Sequence, residues 1–373
     1  MNWFERITGI KNESVQAVTE SLYVSEDRLH SRVNGRSFGV GTFELVSLAA
    51  LRDGLTTIKA TASQRLRFRG IVGDVRVLHR DARFESALFQ VASQFNALEM
   101  FSSRATPEMG VGRYETDRTQ GPACAIAAGA GTIFRNYFVP VYGQVGQTAS
   151  RQLDGSADLR EVLAAAIGIP ARELWLMRIG YLLCNSEELT LINRHLVDAS
   201  EDELERLRGL LRFGLQTGVE VTDGDLDPSE TGPMVSQIYC SAIPVAAAQL
   251  HMRSPIAWEP FARLVLEAAY EATLAAAVLN VSRGGSNVVL LTYLGGGAFG
   301  NDMKWIEGAM RRALERFSDR DLDVVVVSYG QEAPFVGDLE KIYELDLSTT
   351  SVDLRSVSSK RFMSWTSALR AWI

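Results

Sequence analysis

The stretch LTYLGGGAFGND (residues 291–302) lies between a run of branched apolar residues and a segment of helical character, MKWIEGAMRRALERF (303–317). Its glycines have the spacing Gly295-x-Gly297-x-x-Gly300. A glycine-rich turn between a strand and a helix bares backbone N–H groups beside the positive end of the helix dipole. The sequence therefore predicts a strand, a loop and a helix that can hold a phosphate or diphosphate. The alternative is a structural turn that packs the helix close to a sheet.

The composition indicates a soluble globular protein, because 46% of the 373 residues are apolar and 22% are charged. A formal net charge of -7 argues against bulk nucleic-acid binding. No run reaches the roughly 18 uninterrupted apolar residues that a membrane span needs, and the N-terminus has no signal-peptide pattern, so we expect a cytoplasmic protein without membrane partners. The three cysteines, Cys124, Cys184 and Cys240, are expected to be free thiols. Neither they nor the histidines have metal-ligand spacing, so no metal and no cofactor is expected.

Strand and helix patterns alternate between about residues 65 and 335. ALFQVAS (87–93) is continuous enough for a buried central strand, and RGIVGDVRVL (69–78), LWLMRIGYLLC (174–184), GVEVTD, VSQIYCSAIPVA and LDVVVVS also read as strands. Pro122, Asn185 and Ser200 mark helix starts. The predicted fold class is α/β, with a mixed central sheet in a three-layer α/β/α arrangement.

We expect three segments along the chain. Residues 1–64 are predicted to be an N-terminal appendage with a hairpin at Asn34-Gly35, a dipeptide that favours the tight turn of a hairpin. Residues 65–335 would form the α/β domain with insertions. Residues 336–373 would form a C-terminal extension.

Three further motifs precede the glycine loop in a fixed order: IVGDVRVL (71–78), ALFQVASQFN (87–96) and TQGPACAIAAGAG (119–131). Together with VVLLTYLGGGAFGND (288–302), this ordered series resembles the macro domain superfamily of ADP-ribose-binding and ADP-ribosyl-hydrolase proteins over about residues 65–330. Acidic residues ahead of TQGP give a distant similarity to the poly(ADP-ribose) glycohydrolase branch, although that branch's glycine-triplet and Q-E-E signature is absent. Gln90 and Ser93 stand where the family has paired asparagines, and the first loop lacks consecutive glycines.

The resemblance implies a macro-domain-like fold and a ligand site for ADP-ribose or an ADP-ribosylated macromolecule. Asp74 would accept a hydrogen bond from the adenine amino group beside Val75, and Tyr329 would stack on adenine. The implied diphosphate and ribose contacts are Gln90, Ser93, Thr119, Gln120, Gly121, Gly295, Gly296, Gly297, Ala298, Phe299 and Gly300.

Hydrolysis of an ADP-ribosyl bond needs a water aimed at the anomeric carbon and a group that holds or removes its proton. The candidates are the carboxylates of Glu99, Glu115 and Asp117, with Asn96 and Gln120 to orient the water. The leading prediction is therefore an ADP-ribosyl hydrolase that works without a metal.

Three alternatives stay open. A binding-only module that recognises ADP-ribose is favoured by the missing asparagines. An NAD-dependent oxidoreductase would use the GxGxxG spacing, but the nearest candidate acid, Glu332, lies too far along the chain. An enzyme with Cys124 or Cys240 as its nucleophile is the third alternative; Cys124 lies near a helix start but has no histidine partner.

Overall fold

The computed structural model describes residues 1–58, 65–224, 231–248 and 254–343. Its strands are β1 (Leu22–Ser25), β2 (Arg28–Ser31), β3 (Ser37–Gly39), β4 (Thr42–Ser47), β5 (Arg67–Val72), β6 (Leu88–Ala92), β7 (Pro140–Val141), β8 (Gln144–Val145), β9 (Leu176–Arg178), β10 (Tyr181–Leu183), β11 (Arg212–Glu220), β12 (Met234–Cys240), β13 (Val288–Leu291) and β14 (Asp323–Ser328).

The α-helices are α1 (Trp3–Thr8), α2 (Val15–Ser21), α3 (Leu48–Leu55), α4 (Val75–Arg80), α5 (Gln120–Ala127), α6 (Gly129–Tyr137), α7 (Ala157–Ile167), α8 (Ala171–Leu174), α9 (Ser186–Asp198), α10 (Glu201–Leu210), α11 (Val245–Ala248), α12 (Glu259–Ser282), α13 (Met303–Arg316) and α14 (Pro334–Tyr343). Short 3₁₀ helices cover Ala82–Phe84, Pro107–Met109, Gly112–Thr116 and Pro255–Trp258.

A seven-stranded mixed sheet has the order β4-β11-β12-β6-β13-β14-β5. Strand β11 is antiparallel to both of its neighbours, whereas the other adjacent pairs are parallel. The carboxyl ends of β12, β6, β13, β14 and β5 therefore meet at one edge of the sheet. The prediction of a buried central strand is confirmed by β6, which occupies the middle position and whose first four residues are buried.

Helices cover both faces of the sheet, as the pattern along β14 shows. Val324 and Val326 pack into the large core that contains α12, and Val325 and Val327 pack with residues of α4 and α5 on the opposite face. The segment Pro255–Ser282 is long and apolar enough to span a membrane by composition, but 83% of its most apolar window is buried within the protein. It serves as the central core helix. The predicted three-layer α/β class is confirmed.

Two predicted strands are wrong in part or in whole. The run RGIVGDVRVL is strand only as far as Val72, because the Asp74 side chain accepts a hydrogen bond from the Arg76 N–H (2.8 Å) and so begins helix α4. LWLMRIGYLLC is a hairpin of β9 and β10 that turns at Ile179 and Gly180, both with positive φ. The helices predicted after Asn185 and Ser200 are confirmed, and each of these side chains caps its helix.

Elements from both predicted extensions contact the central sheet. The hairpin around Asn34-Gly35 exists as β2 and β3, but β4, from the predicted appendage, is the edge strand of the central sheet. At the other end, α14 crosses the predicted boundary at residue 335 and contacts β5. The remainder of the predicted C-terminal extension, residues 344–373, lies outside the described residues.

Candidate functional site

A cleft of about 690 Å³ opens at the carboxyl ends of β5, β6, β13 and β14. In sheets with parallel strands this edge is where ligands usually bind. The residues of the predicted site that line it are Asp74, Val75, Ser93, Glu99, Glu115, Asp117, Thr119, Gln120, Gly121, Gly295, Gly296, Gly297, Ala298, Phe299 and Tyr329. Gln90, Asn96 and Gly300 are not among its lining residues. Motifs separated by more than 200 residues in the sequence thus meet in one cleft.

The glycine loop (residues 292–300) is closed by its own backbone. The Gly296 N–H donates to the Tyr293 carbonyl, the Gly300 N–H to Gly297, and the Asn301 N–H to Gly295. Gly295 has φ +74°, a conformation that favours glycine. The N–H groups of Gly297 and Ala298, both exposed, have no acceptor among the described residues. They are available to an anion that enters the cleft.

The N-terminus of α5 forms the opposite side of the cleft. Gly121 lies so close to the end of β6 that an added Cβ would lie 1.9 Å from the Ala92 carbonyl oxygen. Only glycine therefore allows this approach of helix to strand. The N–H groups of Gln120 and Gly121 have no acceptor within the described part of the chain, as expected for the first turn of a helix. A second set of donors thus lies at the cleft.

The Gln120 side chain, predicted to orient a catalytic water, binds the edge of β6. Its Oε1 accepts from the Ala92 N–H (2.8 Å), and its Nε2 donates to the Gln90 carbonyl (2.8 Å). Both polar ends of the side chain therefore bind the edge of β6 and fix α5 to the sheet.

The Gln90 and Asn96 side chains, predicted to contact the ligand and to orient the water, are buried and have partners outside the cleft. Gln90 donates to the Thr273 hydroxyl (2.9 Å) and accepts from the Thr292 N–H (3.2 Å), which ties β6 to α12 and to the end of β13. Asn96 donates to Gln152 (2.8 Å) and accepts from the Leu98 N–H (3.1 Å). Both residues support the architecture of the cleft from outside it.

Asp74 and Tyr329 lie together at one end of the cleft. They follow β5 and β14, which are paired in parallel with Val72 opposite Ser328. Asp74 is exposed, and the Tyr329 side chain is 63% exposed. The Oδ1 atom of Asp74 caps α4, whereas its Oδ2 atom has no partner among the described residues. This end presents a free carboxylate oxygen beside an aromatic ring.

The carboxylates at the other end differ in environment. Glu99 is 1% exposed, and both of its oxygens contact Nη2 of the buried Arg135, at 3.0 and 3.1 Å. Burial raises the pKa of Glu99 to about 7, although the Arg135 guanidinium opposes the shift. Asp117 is half-buried and accepts from the Thr119 N–H and hydroxyl, while Glu115 is exposed.

Two arginines that line the cleft were not among the predicted site residues. Arg118 is exposed, and no ion pair involving it occurs among the described residues. Its position two residues before the first residue of α5 was an available signal, because a cation there complements an anion-binding helix start. Arg76 also lines the cleft, but its guanidinium is paired with Asp223 (2.6 Å). Met100 and Met303 also line the cleft and belong to none of the four motifs, whereas Tyr293 lies in the glycine-loop motif but was not among the predicted site residues.

The thiol of Cys124 is unsuited to nucleophilic catalysis. It is fully buried, and burial raises its pKa well above the ordinary range, so the thiolate is disfavoured. Over the described ranges, no group of three or more His, Cys, Asp or Glu side chains is placed to hold a metal ion.

Comparisons with known proteins give structural matches only. No family model matches the sequence, and no curated protein matches it. The structure is similar to poly(ADP-ribose) glycohydrolase from Thermomonospora curvata, with 14% identity, 88% of this chain and 94% of that chain covered, and a TM-score of 0.40. It is also similar to poly(ADP-ribose) glycohydrolase from Deinococcus radiodurans in complex with ADP-ribose, with 13% identity, 81% and 95% coverage, and a TM-score of 0.40. The activity of this chain is therefore inferred from the residues of its own cleft.

Proposed function

We propose that this protein binds ADP-ribose, free or attached to a macromolecule, in the cleft at the carboxyl edge of its sheet, and that it hydrolyses the ADP-ribosyl linkage. One observation carries the proposal. The cleft brings a free carboxylate oxygen and an exposed tyrosine ring at one end together with two sets of backbone N–H donors, from the glycine loop and from α5. The carboxylate oxygen and the tyrosine ring suit adenine, and the two sets of N–H donors suit a diphosphate.

The dimensions and charge of the cleft support this ligand. Its volume of about 690 Å³ lies within the range of about 300 to 1,000 Å³ that small-molecule sites occupy. Arg118 adds a cation that has no acidic partner in the described structure, next to the N–H groups of α5. The diphosphate would therefore lie between the glycine loop and the start of α5, with adenine towards Asp74 and Tyr329.

This orientation directs the second ribose towards Ser93, Glu99 and Met100, which line the buried end of the cleft. We assign proton transfer to Glu99, because a carboxyl with a pKa of about 7 holds and releases a proton near neutral pH. The more exposed carboxylates of Glu115 and Asp117 would stabilise positive charge that develops on the ribose. None of these steps requires a metal ion.

A binding-only function is the second candidate, and one observation favours it. Both Glu99 oxygens contact Arg135 and the side chain is 1% exposed, an arrangement that also suits a purely structural ion pair. A turnover assay on an ADP-ribosylated protein distinguishes the two functions. Release of ADP-ribose that is lost in Glu99→Gln supports hydrolysis, and tight binding without release supports the binding module.

The oxidoreductase alternative receives less support from the site. Strand β14 follows the glycine loop and α13 and ends at Ser328, and the next residue is Tyr329. A dinucleotide-binding fold has an acidic residue at this place. Glu332 does not line the main cleft. Competition between NAD and ADP-ribose tests this directly, because an oxidoreductase would prefer the intact dinucleotide.

Calorimetric titration with ADP-ribose is the first experiment. We expect one site per chain, with AMP binding more weakly because it lacks the distal phosphate and ribose. Absence of any heat of binding, together with no protection of the cleft residues from hydrogen exchange, would remove the proposed ligand.

A further inference from the structure

Glu13 is a half-buried carboxylate in the segment between α1 and α2, and it is not among the residues that line the cleft. Its Oε1 accepts hydrogen bonds from the Val111 N–H (2.8 Å) and from the Tyr137 hydroxyl (2.8 Å). Its Oε2 accepts from the Gly112 N–H (2.8 Å). One side chain thus satisfies two consecutive backbone donors that are about 100 residues away in the sequence.

The backbone around residues 110–112 is shaped to fit this carboxylate. Gly110 has φ +88°, and a Cβ added there would lie 2.5 Å from the Glu13 carboxyl carbon. A Cβ added at Gly112 would lie 2.8 Å from Oε2 of Glu13. Two glycines therefore permit the close approach, which is the usual way for a backbone to enclose an anion. The contact therefore depends both on the Glu13 carboxylate and on the two glycines opposite it.

The segment that Glu13 holds continues into the cleft. The acidic segment (residues 110–119) contains the 3₁₀ helix Gly112–Thr116 and carries Glu115, Asp117 and Arg118 to the cleft. Within it, the fully buried Tyr114 accepts a hydrogen bond from the Glu99 N–H through its hydroxyl (3.2 Å). The acidic segment is therefore fixed at its start by Glu13 and in its middle by the backbone of Glu99.

We propose that Glu13 is a positioning residue for the site: by holding the start of the acidic segment, it sets the place of Glu115, Asp117 and Arg118 relative to the bound diphosphate and ribose. The inference rests on the proposed function for its ligand. Its structural part, the dependence of the acidic segment on Glu13, stands without that ligand.

The test compares Glu13→Ala and Glu13→Gln with wild type, and with Glu20→Ala as a matched control. Glu20 is an exposed carboxylate of α2 whose side chain has one hydrogen-bond partner among the described residues, Gln16, so its loss should change nothing. Glutamine keeps one acceptor oxygen but places an NH₂ group against a second donor. We therefore expect the largest effect in Glu13→Ala, a smaller effect in Glu13→Gln and none in Glu20→Ala.

Amide hydrogen exchange measures the structural part. In Glu13→Ala we expect exchange at residues 111–119 to increase roughly tenfold or more, because hydrogen bonds to a charged group are lost. Exchange in the glycine loop and in β6 should stay at the wild-type rate. Unchanged exchange at 111–119, or an equal increase throughout the protein, would overturn the proposal.

Ligand titration measures the functional part. In Glu13→Ala the Kd for ADP-ribose should rise roughly tenfold, since each factor of ten corresponds to one lost contact of ordinary strength. The Kd for AMP, which lies towards Asp74 and Tyr329, should stay within about twofold, a split that general destabilisation would not produce. Equal losses for both ligands would contradict the positioning role. Failure of wild type to bind either ligand would refute the proposed function, while the exchange result would still decide the role of Glu13.

Discussion

The two walls of the cleft are held in different ways. The turns of the glycine loop are closed by hydrogen bonds among residues 293–301, while its base is tied to the rest of the protein, as by the Ala246 N–H that donates to the Phe299 carbonyl. The acidic segment is held by side chains distant in sequence, chiefly Glu13, and its Tyr114 hydroxyl bonds the backbone of Glu99, whose carboxylate pairs with Arg135. The exposed tip of one wall is therefore shaped by local hydrogen bonds, whereas the other wall depends on tertiary packing.

This difference predicts two classes of variant. Changes at the exposed tip of the glycine loop, at Gly297 and Ala298, should affect ligand binding and leave the fold intact, because neither residue has a hydrogen bond to a distant part of the described structure. Changes behind the acidic segment should reduce stability first, because they break buried hydrogen bonds that join separate parts of the chain. Measurements of ligand affinity and of the free energy of unfolding distinguish the two classes.

Arg135→Met should have the largest effect. The guanidinium is fully buried and donates to Glu99, Gln216, Tyr239 and the Ala97 carbonyl. Its removal leaves the Glu99 carboxylate buried without a cation, so we expect the free energy of unfolding to fall by about 3 to 5 kcal/mol. Chemical denaturation measures this.

The matched control is Arg206→Met, which removes the exposed partner of Glu203 on α10. Its effect should stay within about 0.5 kcal/mol, as is usual for surface changes. A loss in Arg135→Met no greater than in this control would show that the buried pair does not support the acidic wall.

Gly297→Phe should have the largest effect on the ligand. Gly297 is exposed at the cleft and lies outside the left-handed region, so a large side chain blocks the proposed diphosphate position without straining the backbone. We expect the Kd for ADP-ribose to rise by roughly 100-fold or more, equivalent to about 2.7 kcal/mol, with an unchanged melting temperature.

Gly295→Ala is the counterpart within the same loop. Its φ of +74° disfavours a side chain, and the added Cβ would lie 2.6 Å from the Ala242 Cβ. We expect a loss of stability of about 1 kcal/mol or more. If Gly297→Phe lowered stability as much as Gly295→Ala, the exposed tip of the loop would not be independent of the fold.

The same division explains which features the sequence predicted. The glycine loop, the central strand β6 and the caps at Asn185 and Ser200 are local patterns, and the structure contains each of them. The segment 174–184 was predicted to be one strand because its turn at Ile179 and Gly180 lies within a run of mostly apolar residues. Periodicity alone does not distinguish a short hairpin from one strand in such a run.

The candidate site was only partly predictable for a related reason. The side chains of Gln90, Asn96 and Gln120 have the chemistry of ligand contacts, but backbone groups and buried side chains already engage them. Glu13 gave no local signal at all, since its partners are about 100 residues away. Polar residues whose role depends on distant partners cannot be assigned from motif spacing.

Asp74→Ser should have an intermediate effect and separates two functions of one side chain. Serine retains the capping oxygen for α4 but lacks the free carboxylate oxygen assigned to adenine. We expect the Kd for ADP-ribose to rise by about 10- to 100-fold, corresponding to about 1 to 3 kcal/mol, with little change in stability.

Asp74→Ala supplies the comparison, because it removes the cap as well. It should show the same loss of affinity and an additional loss of stability of about 1 kcal/mol. Wild-type affinity in both variants would exclude Asp74 from the ligand site.

The last prediction is a pH dependence of stability that comes from Glu99. Burial raises the pKa of Glu99 to about 7, whereas an unfolded glutamate titrates near 4.5. Between these values the folded protein holds a proton that the unfolded chain has released, so the free energy of unfolding falls as pH rises, by at most about 1.4 kcal/mol per pH unit for one group. Denaturation of wild type and Glu99→Gln between pH 5 and 7.5 measures the difference, because the variant cannot titrate at this position. Glu13, whose pKa burial also raises, contributes equally to both proteins. Parallel stability curves for the two proteins would mean that Glu99 is ionised throughout, and Arg135 would then be its permanent counter-ion and not a partner in proton transfer.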